Sequence, residues 1–320
     1  MLQRSTVHID AGSTAISVAF AQRMEALRVF ERLAPTVNHT QDGLSGKYFQ
    51  FGLESFYGTS NVTPVGAAGA RAINGRYPAN LAESLTTATY TMADYGHGED
   101  LDDALLADAD AGIDLEQVKL EKIARKILRD DLQRIVDIMF DSADLTTGAT
   151  LSGDEQWNSA MSDPLGDFDT ASETIHAATG LWGDPGYDRV LAVADNTWNR
   201  IRRNSQLVNQ FAGIGEKLVK PADLRDYFDD VVIVPAVKGN AKEGATATIT
   251  RTVAKHACIF LRPKSPSKWT AACVYAFQKG ALESGFTQES EKVRRFWSGH
   301  YRTEKLVSLA MAYLYTNAIA

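Results

Sequence analysis

The sequence runs to 320 residues, 44% hydrophobic and 23% charged, with 33 Lys plus Arg against 40 Asp plus Glu and a net charge of −7. That length and apolar share suffice for two domains, or for one domain with long excursions. The acidic balance excludes a general nucleic-acid binder, which needs clustered Lys and Arg for phosphate contacts, although an acidic surface could still line a space filled with DNA.

The N-terminus lacks a basic leader followed by an apolar core, so it does not read as a signal peptide. No apolar run approaches the roughly 20 residues needed to cross a bilayer. Ile16, Phe20, Met24, Leu27 and Phe30 recur at helical spacing and predict a helix within 13–33, ending before Pro35. Residues 47–57 alternate as a strand, with Tyr48, Phe49, Phe51, Leu53, Phe56 and Tyr57. Residues 58–89 are rich in Gly, Ala, Ser, Thr, Asn and Pro, with Arg71, Arg76 and Glu83 as their only charges. A structureless loop of that length is unusual in a compact domain. A projecting hairpin with flanking strands near 47–57 and 84–95 is the better reading.

Residues 99–116 hold eight acidic residues and no basic one. Asp114 and Gln117 have the spacing of a capping box for a helix over 114–140. Its apolar face is Leu120, Ala124, Ile127, Ile135 and Ile138; Lys119, Lys122, Arg125, Lys126, Arg129, Asp130 and Gln133 form the wetter side. Residues 146–168 read as polar turns. Helices near 171–179, 195–203 and 221–227 then alternate with strands near 189–193, 231–234, 256–261 and 272–277, which indicates an α/β or α+β unit. Cys258 and Cys273 make no disulfide framework; their apolar surroundings suit reduced core thiols and a reducing cytosol. Residues 306–315 read as one strand, apolar on both faces and covered on both sides.

Catalytic signatures are missing: no H-E-x-x-H, G-x-S-x-G, Walker loop or C-x-x-C occurs. Gly213 and Gly215 lack the third glycine of a dinucleotide fingerprint. His97, Glu99, Asp100, Asp102, Asp103, Asp108 and Asp110 could hold a hard cation through oxygen. With Asp108 as position 1, however, the terminal ligand at position 12 of an EF-hand loop would be Lys119. A solvated acidic turn ahead of a helix is the favoured reading. His8, His39, His97, His176, His256 and His300 show no metal-ligand spacing, and His256 reads as a strand residue. Trp157, Trp182, Trp198, Trp269 and Trp297 are too far apart for a cage and read as core or interface residues. Arg294, Arg295, His300, Arg302 and Lys305 interleave with Phe296, Trp297 and Tyr301. That mix suits nucleic acid through charge and stacking. A contact with acidic surface on a neighbouring subunit is favoured over it. No catalytic, cofactor-binding or metal-ligating residue is assigned, and no cofactor is expected.

The order of parts resembles the major capsid protein of tailed bacteriophages, with the Hong Kong 97-like fold, over nearly the whole chain. YTMADYGHGEDLDDALLADADAGIDLEQVKLEKIARKILRDDLQRIVDIMF is similar to that family's strand, acidic turn and spine helix. WNRIRRNSQLVNQF and PADLRDYFDDVVIVPAV resemble its central-domain helix and helix-then-strand unit, and VRRFWSGHYRTEKLVSLAMAYLYTNAI its closing strands. The resemblance implies an α+β fold in four parts. These are an N-terminal arm (1–40), an extended β-hairpin loop (41–95), a peripheral domain (96–145 and 284–305) with the spine helix 114–140, and an axial domain (146–283 and 306–320).

It further implies a non-enzymatic virion subunit that forms pentamers and hexamers of an icosahedral shell around double-stranded DNA. Assembly would take place in the host cytoplasm, away from membranes. Phe49, Phe51 and Phe56 of the hairpin would pack on an adjacent subunit. With Met1 as the start, no large scaffolding segment is left to be cleaved from the chain. A separate scaffolding protein, a portal and a decoration protein are therefore the expected partners, with packaged DNA nearby but not gripped. Lys47 lies in the loop, but no motif supports a covalent crosslink there. Two alternatives remain: an encapsulin-like compartment that stores cargo enzymes, and a metal-dependent enzyme using the cluster from His97 to Asp110.

Overall fold

The computed structural model describes residues 8–9, 11–23, 28–50, 87–102, 104, 114–211, 218–235, 237–239, 249–251, 253, 255–290 and 292–320. Its longest helix, α3 (Leu115–Met139), has 25 residues, about 37 Å at 1.5 Å per residue. Asp114 caps it by accepting from the Gln117 backbone N–H at 3.0 Å. The Gln117 amide donates forward to Glu121 at 2.8 Å. The buried stripe is wider than periodicity predicted, adding Ile123, Leu128, Leu132, Val136 and Met139, while Ile138 is only half-buried. Each buried Leu or Ile stabilises by roughly 1.5–3 kcal/mol relative to exposure, so tertiary contact holds this helix more than propensity does.

The helix lies on a sheet ordered β1 (His8–Ile9), β12 (Val274–Ser290), β13 (Val293–Leu306), β5 (Ala93–Asp102). β2 (Thr36–Asn38) adds in parallel to β12. β12 and β13 form a long antiparallel ribbon whose register shifts between Lys279 and Glu283. Gly280 sits there at φ +74°, a conformation glycine adopts without strain. Helix α1 (Ala11–Arg23) packs against both α3 and β12. The short α2 (Val29–Leu33) packs on α3 and on β8 (Asp230–Val234).

A second five-stranded sheet has the order β6 (Gly148–Thr150), β14 (Ala312–Thr316), β11 (Ala257–Pro263), β7 (Tyr187–Ala194), β8. Its central strands are buried along most of their length, as expected for strands covered on both faces. Helix α4 (Pro164–Thr179) contacts β11 and β14, and α5 (Asp195–Ile201) contacts β7 and β8. α6 (Ser205–Phe211) packs on α4. At Gly148 a Cβ would stand 2.0 Å from the Leu314 carbonyl oxygen, so only glycine allows β6 to pair there. Cys258 and Cys273 are free and buried. Burial raises both thiol pKa values, that of Cys273 to about 12.

Several expectations need correction. The expected helix within 13–33 is two helices, α1 and α2, with 24–27 outside the described residues. Residues 99–102 are not a turn but the end of β5; pairing with β13 overrides their weak strand propensity. Helix α4 starts seven residues earlier than expected. Asp163 accepts from Gly166 N at 3.1 Å as its N-cap, and Pro164 occupies the first turn, so the apparent turn signal was a helix start. Residues 221–224 form only a 3-10 turn. Residues 306–315 are not one strand: β13 ends at Leu306, a 3-10 turn spans Leu309–Met311, and β14 begins at Ala312. Among the described residues no helix is long and apolar enough to cross a membrane.

Where the hairpin is expected, β3 (Ser45–Phe49) pairs antiparallel with β4 (Thr87–Thr91), and 51–86 lie outside the described residues. Tyr48 and Tyr90 are buried against Phe277, the Tyr90 ring stacking on it at 4.0 Å. Phe49 packs within the chain on Trp269, ring centroids 4.7 Å apart, rather than waiting for a neighbour. Phe51 and Phe56 lie outside the described residues.

Candidate functional site

Six residues singled out in the sequence, His97, Glu99, Arg294, Phe296, His300 and Arg302, meet in one seam, where α3 lies across β5 and β13. Strand alternation sorts them. Register pairs Tyr95 with His300, His97 with Ser298, Glu99 with Phe296, and Leu101 with Arg294. Those residues face α3, where Leu101 and Phe296 are buried with Leu120, Ile123 and Ile127. Asp100 pairs with Arg295 on the other face, with 3.6 Å between charged atoms. Gly96 and Gly299 are opposite each other; a Cβ at Gly96 would come within 2.7 Å of the Ser298 carbonyl oxygen.

The innermost group is a charge network. Asp131 is 2% exposed and Arg302 1%. Asp131 takes contacts from His300 Nε2 at 3.2 Å and Arg302 Nη1 at 3.8 Å, and accepts a hydrogen bond from Arg134 Nη2. Glu304 accepts from Arg134 Nε at 3.1 Å and from Arg302 Nε at 2.8 Å. The guanidiniums are also stacked, Arg134 over Tyr95 at 3.7 Å and Arg302 over Phe30 at 4.7 Å. Two carboxylates against two guanidiniums leave the network neutral when His300 is neutral. Burial pushes the Asp131 carboxyl up, but the His300 contact and the nearby arginines outweigh it and hold its pKa below the usual 3.8.

Nearer the helix N-terminus, Glu99 meets three lysines, Lys119 at 3.2 Å, Lys122 at 3.0 Å and Lys126 at 2.7 Å. Burial opposes its ionisation; the three ammonium groups win and lower its pKa to about 2. His97 Nε2 lies 2.6 Å from Asp130 Oδ2 at the surface. Arg294 Nη1 donates to Glu116 at 2.7 Å.

This geometry corrects one expectation. The basic cluster is not one patch aimed at a neighbouring subunit. His300 and Arg302 are buried, and acidic groups of the same chain meet Arg294, Arg295, His300 and Arg302. The described members of the acidic run separate: His97, Glu99 and Asp100 each meet a different partner on α3 or β13. Among the described residues no group of three or more His, Cys, Asp or Glu is placed to hold a metal ion. Asp103, Asp108 and Asp110 lie outside the described residues.

Asp131 and Glu304 were missed. The signal for Asp131 was present: it sits four residues after Ile127 and four before Ile135, an acid inside an apolar stripe. Glu304 shares the even-numbered face of β13 with His300 and Arg302. His256 lies just before β11, where Nδ1 accepts from Asn317 N at 3.2 Å. Trp157 and Trp198 are core residues, whereas Trp269 is 61% exposed. Perturbed carboxylates can mark active sites, but structural ion networks perturb them equally. Here ion pairs join α3 to β5 and β13, which is a structural network of that kind.

No protein-family model matches the sequence, and no curated protein matches it. Solved structures do. A phage-related protein from Bordetella bronchiseptica shares 18% identity over 98% of each chain, with a TM-score of 0.71. A virus-like particle from Pyrococcus furiosus shares 10% identity over 95% of this chain and 97% of its own, with a TM-score of 0.54. The capsid of the cyanophage P-SCSP1u shares 13% identity over 90% of this chain and 87% of its own, with a TM-score of 0.51. At these identities the likeness is one of fold. The chain has the α+β fold of phage capsid subunits, as its order of elements implied.

Proposed function

We propose that this chain is the major subunit of a phage capsid, self-assembling into pentamers and hexamers of an icosahedral shell that encloses double-stranded DNA. The observation that carries the reading is coverage. A fold found in phage capsid structures accounts for 90% of the chain. The role is structural, not enzymatic. The division into arm (1–40), loop (41–95), peripheral domain (96–145 and 284–305) and axial domain (146–283 and 306–320) is part of the proposal. In it the charged seam locks the spine helix onto the long ribbon, so that the peripheral domain moves as one body. A separate scaffolding protein, a portal and a decoration protein complete the assembly, which forms in the host cytoplasm and ends in the virion.

The likeness to the virus-like particle supports a shell in either case; the second reading is that this shell stores protein cargo. Particle contents separate the two. Nuclease-protected double-stranded DNA in particles from infected or induced cells supports the capsid. Particles that hold one co-purifying enzyme and no DNA support the compartment. A chain that turns over a substrate as a small soluble oligomer, and never forms particles, refutes both.

A further inference from the structure

The foot of the hairpin carries a groove that the seam does not use. It has a volume of about 780 Å³ and runs between β2, β3 and residues 266–269. One wall is the edge of β2. Among the described residues that strand bonds to β12 alone, through Pro35 O accepting from Ala276 N at 3.1 Å and His39 N donating to Gln278 O at 2.7 Å. Odd-numbered residues of β2 therefore face β12. Thr36 and Asn38 turn their backbone N–H and C=O groups away from β12; both residues line this groove and a neighbouring one that also holds Glu31, Asp188, Arg262 and Lys264. An unpaired strand edge is a template for an added strand.

The other walls are cationic and aromatic. Lys47, Lys268 and His39 line the groove, and among the described residues no Asp or Glu does. In a chain of net charge −7, that is a local inversion of sign. His39 is 9% exposed. Its Nδ1 meets the Tyr90 hydroxyl at 2.7 Å, while its Nε2 is buried with no hydrogen-bond partner. Trp269, with one face on Phe49 and Lys268 at 5.2 Å from its ring, stands 61% exposed at the mouth. An exposed Trp beside a cation and an open strand edge is the composition of an interface centre rather than of ordinary surface.

We infer that this groove receives an extended, carboxylate-bearing segment of a second copy of this chain, added as a strand on the β2 edge. Charge complementarity selects the occupant: the chain carries 40 Asp plus Glu against 33 Lys plus Arg, and the groove shows the opposite sign. Backbone pairing with Thr36 and Asn38 supplies contact, and Lys47 and Lys268 favour acidic side chains over neutral ones. The inference rests on the shell reading for its choice of a second copy.

The test uses the full chain with Trp269→p-benzoylphenylalanine, mixed in light and heavy isotope forms, irradiated and mapped by mass spectrometry. Light-to-heavy crosslinks from position 269 to an Asp- or Glu-bearing peptide are expected. Lys47→Glu with Lys268→Glu should cut their yield roughly tenfold, while Lys268→Arg keeps it. Both lysines are exposed, and circular dichroism confirms that the variants stay folded. Crosslinks only within one chain, crosslinks to nucleic acid or another protein, or a yield indifferent to charge reversal would overturn the inference. Particle formation by the unmodified chain is scored separately. Shells without the crosslink refute the groove alone, and the crosslink without shells refutes the shell alone.

Discussion

Asp130 and Asp131 are adjacent in sequence and face opposite environments. Asp130 meets His97 at the surface, with both side chains more than a third exposed. Asp131 is buried between His300, Arg302 and Arg134. Asp131→Asn keeps the shape and removes the charge. It leaves two guanidiniums, one of them on the fully buried Arg302, facing the single carboxylate of Glu304. An uncompensated buried charge costs about 3–5 kcal/mol, a large part of a typical folding stability of roughly 5–15 kcal/mol. For a chain of this size that lowers the melting temperature by roughly 5–10 °C. Asp130→Asn should cost under about 1 kcal/mol, as exposed pairs do. Thermal unfolding of both variants by circular dichroism, at pH 7 and in an acid series, makes the comparison. The folded-state pKa of Asp131 lies below its usual 3.8. The carboxylate's contribution is therefore complete above that value and is lost as pH falls through the lower folded pKa. The gap between wild type and Asp131→Asn should be widest near neutrality and close in acid. Equal losses for the two variants, or a gap that widens in acid, would refute the reasoning.

Ile127→Asp places a carboxylate among Leu101, Leu120, Ile123 and Phe296. It should abolish particle formation and reduce soluble yield, so normal particles in the microscope would contradict the role given to α3. Glu99→Gln should cost about 1 kcal/mol at neutral pH, since its lysine partners are partly solvated. With a folded pKa of about 2 against the usual 4.5, that difference should vanish as pH falls across this window in urea titrations. Gly148→Ala should destabilise by about 2 kcal/mol or more, because the new Cβ meets the Leu314 carbonyl and β6 must separate from β14; chemical denaturation reads this. The thiols of Cys258 and Cys273 should ignore a thiol reagent in the native protein and react once it is unfolded.

The long helix was legible because its signals agreed: Asp114 at the cap, acids before it and an apolar stripe through it. The central strands of the second sheet were legible as short apolar runs such as 231–234 and 257–261. β12 and β13 were harder. Their outer halves, with Glu283, Ser284, Arg294 and Arg295, carry little strand propensity and depend on pairing across the ribbon. The seam was half legible. Its cations and the acidic run stood out as clusters, but period-2 alternation on β5 and β13 divides each cluster between two faces. Only contacts across the fold show that Arg302 needs Asp131, 171 positions away. Of the expected hairpin the described residues hold the paired strands β3 and β4, and the packing of Phe49 on Trp269 joins residues 220 positions apart, which no local pattern encodes.

The most direct test of the shell reading is electron microscopy of the purified full chain, alone and with the scaffolding protein proposed for it, paired with sedimentation velocity. The account predicts uniform, closed, hollow particles whose symmetric reconstruction accepts α3 and the β12–β13 ribbon as one rigid body. A chain that stays a monomer or small oligomer under every assembly condition would contradict it.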